Sequence, residues 1–210
     1  MGLAMLKNRR WIPSYFSQGT IIIKENTGYG GNNLALMQGF GVDPGMKNVQ
    51  NQQIMLQSYD LTCRVVDSLP FLKVDYITQG RFKTRNLYRQ TSIVVEPERV
   101  DPRAYGMLFQ VSFLQDGTLH VSSTDDNQPL ELDVRFGEPV SCEYFDATIW
   151  PTEFMSNTKM YFRFRSHEDL VNEFMSRLQL SFVSEGSTVL ALSMVSETPQ
   201  RDCEYLDKLA

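Results

Sequence analysis

Leu130-Glu131-Leu132-Asp133-Val134-Arg135-Phe136 alternates apolar and polar residues at every step. A β-strand turns successive side chains to opposite faces, so this stretch predicts a strand with one buried and one wetted face. Gly137-Glu138-Pro139 then breaks it. Upstream, Asp116-Gly117 separates two apolar runs, residues 107–114 and 118–122. Asp-Gly accepts the positive φ of a two-residue type I′ turn, so a hairpin is expected there. Strands are also expected at 92–95, 142–149 and 160–164. Short strands with frequent turns pair with their neighbours, so about 74–164 reads as an antiparallel meander.

Outside the meander the pattern changes. Thr20-Ile21-Ile22-Ile23-Lys24 is rich in β-branched residues and apolar on both faces, which predicts a central strand covered on each side. Residues 188–195 are also apolar on both faces and are expected beside it in the sheet centre, paired with 180–183 around Glu185-Gly186. Ile54, Leu61, Val65 and Leu69 recur at helical spacing and predict one helix over about 49–69, ended by Pro70. A second helix begins at Ser166, with Asp169 three residues on and Leu170, Phe174 and Leu178 as its buried stripe. A third begins at Thr198, whose hydroxyl is expected to cap, with Pro199 in the first helical position. No stop signal follows before Ala210, so this helix is expected to continue in a longer protein. The expected fold is α+β: a single domain over 1–210, with a mixed β-sheet flanked by helices and an inserted antiparallel meander.

Composition narrows the function classes. The 210 residues are 42% hydrophobic and 21% charged, with a net charge of -5. A chain of this size buries roughly 70% of its unfolded surface and needs no disulfide staples. An acidic balance argues against a general nucleic-acid binder, whose affinity comes from a basic face. No apolar run approaches the roughly 20 residues of a membrane-spanning helix. Lys7, Arg9 and Arg10 follow the apolar start rather than precede it, the wrong order for a signal peptide. With Trp11 and Tyr15 they read equally as a membrane-interface anchor or as a solvated terminus. Cys63, Cys142 and Cys203 have no metal-site or redox spacing and are expected to be small apolar core residues.

Motifs for chemistry are few. Six of the 13 glycines fall within 26–45, a loop ending in the turn signal Asp43-Pro44-Gly45. Gly28-Tyr29-Gly30-Gly31 follows a strand but lacks the third glycine of a dinucleotide loop. His120 and His167 have no neighbours at ligand spacing, and Asp125-Asp126-Asn127 reads as a polar turn rather than a calcium loop. Glu131 and Asp133 share a strand face roughly 7 Å apart; paired carboxylates can hydrolyse glycosides, but a solvated strand face is the simpler reading. No catalytic, cofactor-binding or metal residue is expected. Arg81, Lys83, Arg85 and Arg89 surround Tyr88 and, on a strand, share one face. That face would meet an anionic polymer or lipid, or equally a partner subunit.

Several stretches in order resemble one family. Pro13 and Tyr15 ahead of the isoleucine strand resemble the segment that follows a first transmembrane helix. Asn51-Gln52-Gln53-Ile54-Met55-Leu56-Gln57-Ser58 is similar to an Asn-Glu-Ile-x-Ile-Leu-Lys-Ser helix. Leu87-Tyr88 before Ser92-Ile93-Val94 resembles Leu-Tyr-x-x-x-Pro-Ile-x-Val, with Ser92 in the place of the usual proline. Tyr161-Phe162-Arg163-Phe164 precedes the second helix; Ser187 to Ser193, Pro199 and Leu206 resemble the closing strand and the start of a long arm helix, with Cys203 at a small-residue position. These resemble the periplasmic domain of chain length determinant proteins, the Wzz-type polysaccharide co-polymerases, and more closely the version fused to Wzc-type bacterial tyrosine autokinases.

The resemblance implies a periplasmic, non-catalytic, oligomerising domain of an inner-membrane protein that sets the length and export of capsular or exopolysaccharide. It implies spans outside this chain, a cytoplasmic protein-tyrosine kinase domain in the parent, and the polymerase and export machinery as partners. Tyr15, Asn51, Leu56, Ser58, Leu87, Tyr88, Ser187, Pro199 and Leu206 would then be structural or assembly positions. The alternatives are an envelope carbohydrate-binding or adaptor module without length control, and an enzyme built on Glu131 and Asp133.

Overall fold

The computed structural model describes residues 13–23, 44–79, 84–114, 117–154, 159–184 and 187–210. The first elements among the described residues are β1 (Tyr15–Ile22), α1 (Pro44–Leu56) and α2 (Tyr59–Asp67). Nine strands follow: β2 (Val74–Gln79), β3 (Thr84–Asn86), β4 (Ile93–Val100), β5 (Phe109–Phe113), β6 (Thr118–Ser123), β7 (Glu131–Arg135), β8 (Pro139–Ser141), β9 (Phe145–Pro151) and β10 (Met160–Phe164). It closes with α3 (His167–Arg177), β11 (Gln179–Phe182), β12 (Val189–Ser196) and α4 (Pro199–Leu209). The fold is α+β. It divides into two compact units, one holding residues 70–170 and the other 14–69 with 171–210. The β-rich stretch expected at 74–164 makes up nearly all of the first, which is inserted within the second.

In the β-rich unit a six-stranded sheet, β3-β2-β10-β5-β6-β7, packs on a three-stranded sheet, β4-β9-β8. The core lies between them. Phe109 stacks on Phe162 with centroids 5.1 Å apart, and Phe145 meets Phe109 edge-on at 5.2 Å. All three rings are fully buried, and each stabilises the fold by about 1.5–3 kcal/mol through burial alone. The alternation expected at 130–136 is present: Val134 is buried while Glu131, Asp133 and Arg135 are exposed. The β5–β6 hairpin differs in detail. Leu114 N–H donates to the Thr118 carbonyl at 2.9 Å, so three residues rather than two make the connection. Gly117 supplies its positive φ, +81°. β4 is longer than expected and runs through Pro97, which an edge strand tolerates, with a bulge between Pro97 and Arg99.

In the other unit β12 lies between β1 and β11, as its two-sided apolar pattern predicts. β1 does not: among the described residues it is an edge strand, and Ile22 is 68% exposed. Among the described residues no sheet is mixed: every strand pair in the three sheets is antiparallel. Parallel pairing needs a crossover connection, and these pairs are joined by hairpins or by long excursions that return in the opposite sense.

The single helix expected over 49–69 is two helices. Ser58 adopts an extended conformation, its Oγ accepts the Leu61 N–H at 3.3 Å, and a new helix starts there. The break turns Ile54, 70% exposed, away from the stripe that Val65 and Val66 bury. Pro44 and Gly45 open α1 instead of forming a turn; the glycine-rich stretch before them, with Lys24, lies outside the described residues. Ser166 caps α3 as expected, its Oγ accepting the Asp169 N–H at 3.1 Å. Thr198 does not cap α4 with its hydroxyl. Ser196 Oγ takes the Thr198 N–H instead, at 3.0 Å. The cysteines differ from the expected core placement in degree: Cys142 is half-buried and packs against the core of the β-rich unit, Cys63 is half-buried, and Cys203 is exposed. Thiols on amphipathic helices and loop edges need not face inward.

Candidate functional site

The last helix is held by a buried charge cluster. Asp202, one turn into α4, is fully buried. Its carboxylate accepts from Arg177 Nη2 at 2.6 Å and from Ser196 Oγ at 2.5 Å. Arg177, at the end of α3, also reaches Glu173 Oε1 at 2.8 Å and the Val195 carbonyl at 3.3 Å. Glu173 Oε1 accepts a second guanidinium, that of the buried Arg201. Two arginines and two carboxylates thus neutralise one another where desolvation would otherwise expel them. An aromatic floor supports them. Phe174 stacks on Tyr205 at 4.2 Å, and the Arg201 guanidinium lies 5.0 Å from the Phe174 centroid. Tyr205 Oη meets Thr62 Oγ1 at 3.4 Å, tying α2 to α4. Burial pushes the Tyr205 hydroxyl up from its ordinary pKa. The cluster therefore fixes α4 against α3, β12 and α2 with directional bonds.

Strain marks a second place, in the β-rich unit. Tyr88 has φ +46°, the only non-glycine residue at positive φ among the described residues. A bulky side chain there costs about 1–3 kcal/mol. The surroundings hold it: Tyr88 N–H donates to Asn86 Oδ1 at 2.9 Å, Leu87 N–H to the Tyr76 carbonyl at 2.8 Å, and Gln90 N–H to the Leu87 carbonyl at 2.9 Å. The buried Tyr88 ring meets Phe71 edge-on at 5.3 Å, and the Arg89 guanidinium lies 5.2 Å from the Phe71 centroid. Arg89 is therefore in a turn, stacked on rings, and does not continue the strand face expected to carry four cations. Arg85 lies exposed in β3. Arg81 and Lys83 lie outside the described residues.

The other motif positions are dispersed. Tyr15 opens β1 opposite Ser196, the last residue of β12. Asn51 and Leu56 lie on α1, where Leu56 packs against Ile23 and Leu190. Ser58 is the α2 cap. Ser187 Oγ accepts the Val189 N–H at 3.0 Å and starts β12. Pro199 opens α4, and Leu206 is buried on it. The buried Arg201 and Asp202 were not legible as site residues, because charges at a helix start ordinarily face water.

Two polar features are resolved by register. His120 Nδ1 lies 2.8 Å from Asp133 Oδ1, directly across the β6–β7 ladder, a pairing that spacing along the chain conceals. Asp125 Oδ1 accepts the Asn127 N–H at 2.9 Å, making the expected polar turn. Among the described residues no group of three or more His, Cys, Asp or Glu is placed to hold a metal, and no helix is long and apolar enough to cross a membrane. No protein-family model and no curated protein matches the chain.

Proposed function

We propose that this chain is the extracytoplasmic oligomerising domain of an inner-membrane polysaccharide co-polymerase, which sets the chain length and export of capsular or exopolysaccharide. The observation that carries the reading is the pairing of Tyr15 with Ser196. It sets the first strand's start beside the last strand's end. A domain held between two membrane spans needs both flanks to leave on one side. The cluster around Asp202 accords with it, holding the start of α4 at the same end of the sheet through Ser196 and Arg177. The ordered motifs also fall at points of structural control: a helix cap at Ser58, a strained turn at Tyr88, a strand start at Ser187 and a helix start at Pro199. In this reading the domain acts by assembly, several copies forming a scaffold beside the polymerase and export machinery.

Deleting the parent gene is expected to change the modal length of the polysaccharide resolved on a gel. Restoring the gene with Arg177→Ala should leave that change uncorrected. An unchanged ladder in the deletion strain overturns the reading.

A further inference from the structure

The three-stranded sheet of the β-rich unit carries an indole that is both exposed and locked. Trp150 is 44% exposed at the end of β9. Its Nε1–H donates to Glu96 Oε2 on the neighbouring strand β4 at 2.9 Å. The six-membered ring lies over Gly137, where an added Cβ would sit 3.0 Å from Cζ3 and 3.5 Å from Cη2. Gly137 has φ +76° and its N–H donates to the Ile149 carbonyl at 2.9 Å, so this support is itself held. An exposed tryptophan usually keeps rotamer freedom; this one has lost it before any ligand arrives.

The same sheet face continues along β9. Thr148 pairs with Glu96 and Pro139, and Asp146 pairs with Ser141 and Arg99. Residues two apart share a face, so Trp150, Thr148 and Asp146 form a row roughly 14 Å long at about 3.4 Å per residue. At its far end Arg99 grips Asp146 with two bonds, 2.5 Å from Nε and 3.0 Å from Nη2, and Ser141 Oγ donates to the same carboxylate at 2.6 Å. The row thus presents one flat apolar ring followed by a carboxylate, a hydroxyl and a planar ion pair.

We propose that this row is a binding site for an uncharged stretch of polysaccharide. A pyranose has an apolar C–H face that stacks on an aromatic ring, and a rim of hydroxyls that both donate and accept. Glu96 and Asp146 accept, Arg99 donates, and Thr148 does either. A protein-docking patch has a different make-up, with an apolar centre depleted in charge; here the β9 steps beyond the indole, Thr148 and Asp146, are polar, and of their cross-strand partners Glu96, Arg99, Ser141 and Pro139 only Pro139 is apolar. The row is long enough for more than one sugar ring. Glu96 beside the stacking position disfavours an acidic sugar there. The proposal rests on the co-polymerase reading only in expecting polysaccharide nearby.

The test is titration of the full chain, followed by heteronuclear NMR on the Trp150 indole N–H. The probes are malto-, cello-, manno- and galacto-oligosaccharides and the polysaccharide isolated from the cells that make the protein. Saturable shifts of that resonance with at least one probe are expected. Trp150→Ala should weaken the binding measured by calorimetry by about tenfold or more, the loss of one aromatic partner. Trp150→Tyr should retain part of it, with an unfolding midpoint close to the parent chain's. No saturable binding of any probe, or undiminished binding by Trp150→Ala, overturns the proposal. So does concentration-dependent self-association that Trp150→Ala abolishes, which would make the row a contact between copies. Because binding is read on the purified chain, its failure leaves the gene-deletion result standing, and the reverse holds equally.

Discussion

Single residues in this molecule are specified by backbone geometry as much as by side-chain chemistry. Gly137 has two reasons to be glycine, its φ of +76° and the Trp150 ring above it. Gly137→Ala is expected to cost about 1–3 kcal/mol through the left-handed backbone alone, read as a lowered urea midpoint. It should also move the Trp150 indole resonance, since Cζ3 would have to withdraw. Gly106 has φ +83° with nothing near its Cβ position; alanine there would bring the strain without the ring's displacement, which separates the two effects. Tyr88 is the opposite case. A tyrosine accepts the unfavourable φ because Asn86, Phe71 and Arg89 hold its N–H and ring in place.

At the level of elements, short-range rules were legible and long-range polar pairing was not. Ser166 caps α3 as its sequence context predicts, because the partner N–H is three residues away. The alternation at 130–136 was readable because one face of β7 meets water. The break at Ser58 was not, because Ile54 before it and Leu61 and Val65 after it continue a helical spacing that only a cap interrupts. Arg177 and Asp202 are 25 residues apart and meet only after α3, β12 and α4 have packed. Arg177→Ala removes the guanidinium from a carboxylate with no exposure and is expected to cost about 3–5 kcal/mol in equilibrium unfolding. Arg177→Lys should recover little, because one ammonium cannot reproduce the fork that reaches Glu173, Asp202 and the Val195 carbonyl at once.

For the whole molecule, the fold class was readable while the sense of the sheets and the edge position of β1 were not, since both depend on which distant strands pair. Its pH limits follow from groups in both units. Arg103 bonds hold the Asp101 carboxyl below the usual range, and Arg99 with Ser141 does the same for Asp146. Their contribution is present above the unfolded aspartate value of about 3.9 and is lost as pH falls below it. Both carboxylates lie near solvent, so salt should weaken the effect. At the other extreme, burial raises the hydroxyls of Tyr76 and Tyr205. Each stabilises the folded state below the unfolded tyrosine value of about 10, and that contribution is lost as pH rises above it. The urea midpoint should therefore fall beyond each of these limits, with Tyr205→Phe reducing the alkaline fall.

The pairing of β1 with β12 also sets a timetable for synthesis. Ser17 Oγ donates to the Pro199 carbonyl at 3.5 Å across 182 residues of chain. At about 5–20 residues per second, the first strand waits roughly 10–35 s on the ribosome before its partner exists. Throughout that interval Tyr15–Ile22, with its isoleucines, lacks the β12 strand it pairs with, and the β-rich unit, whose last residue Leu170 precedes Val189 at the start of β12, is complete first.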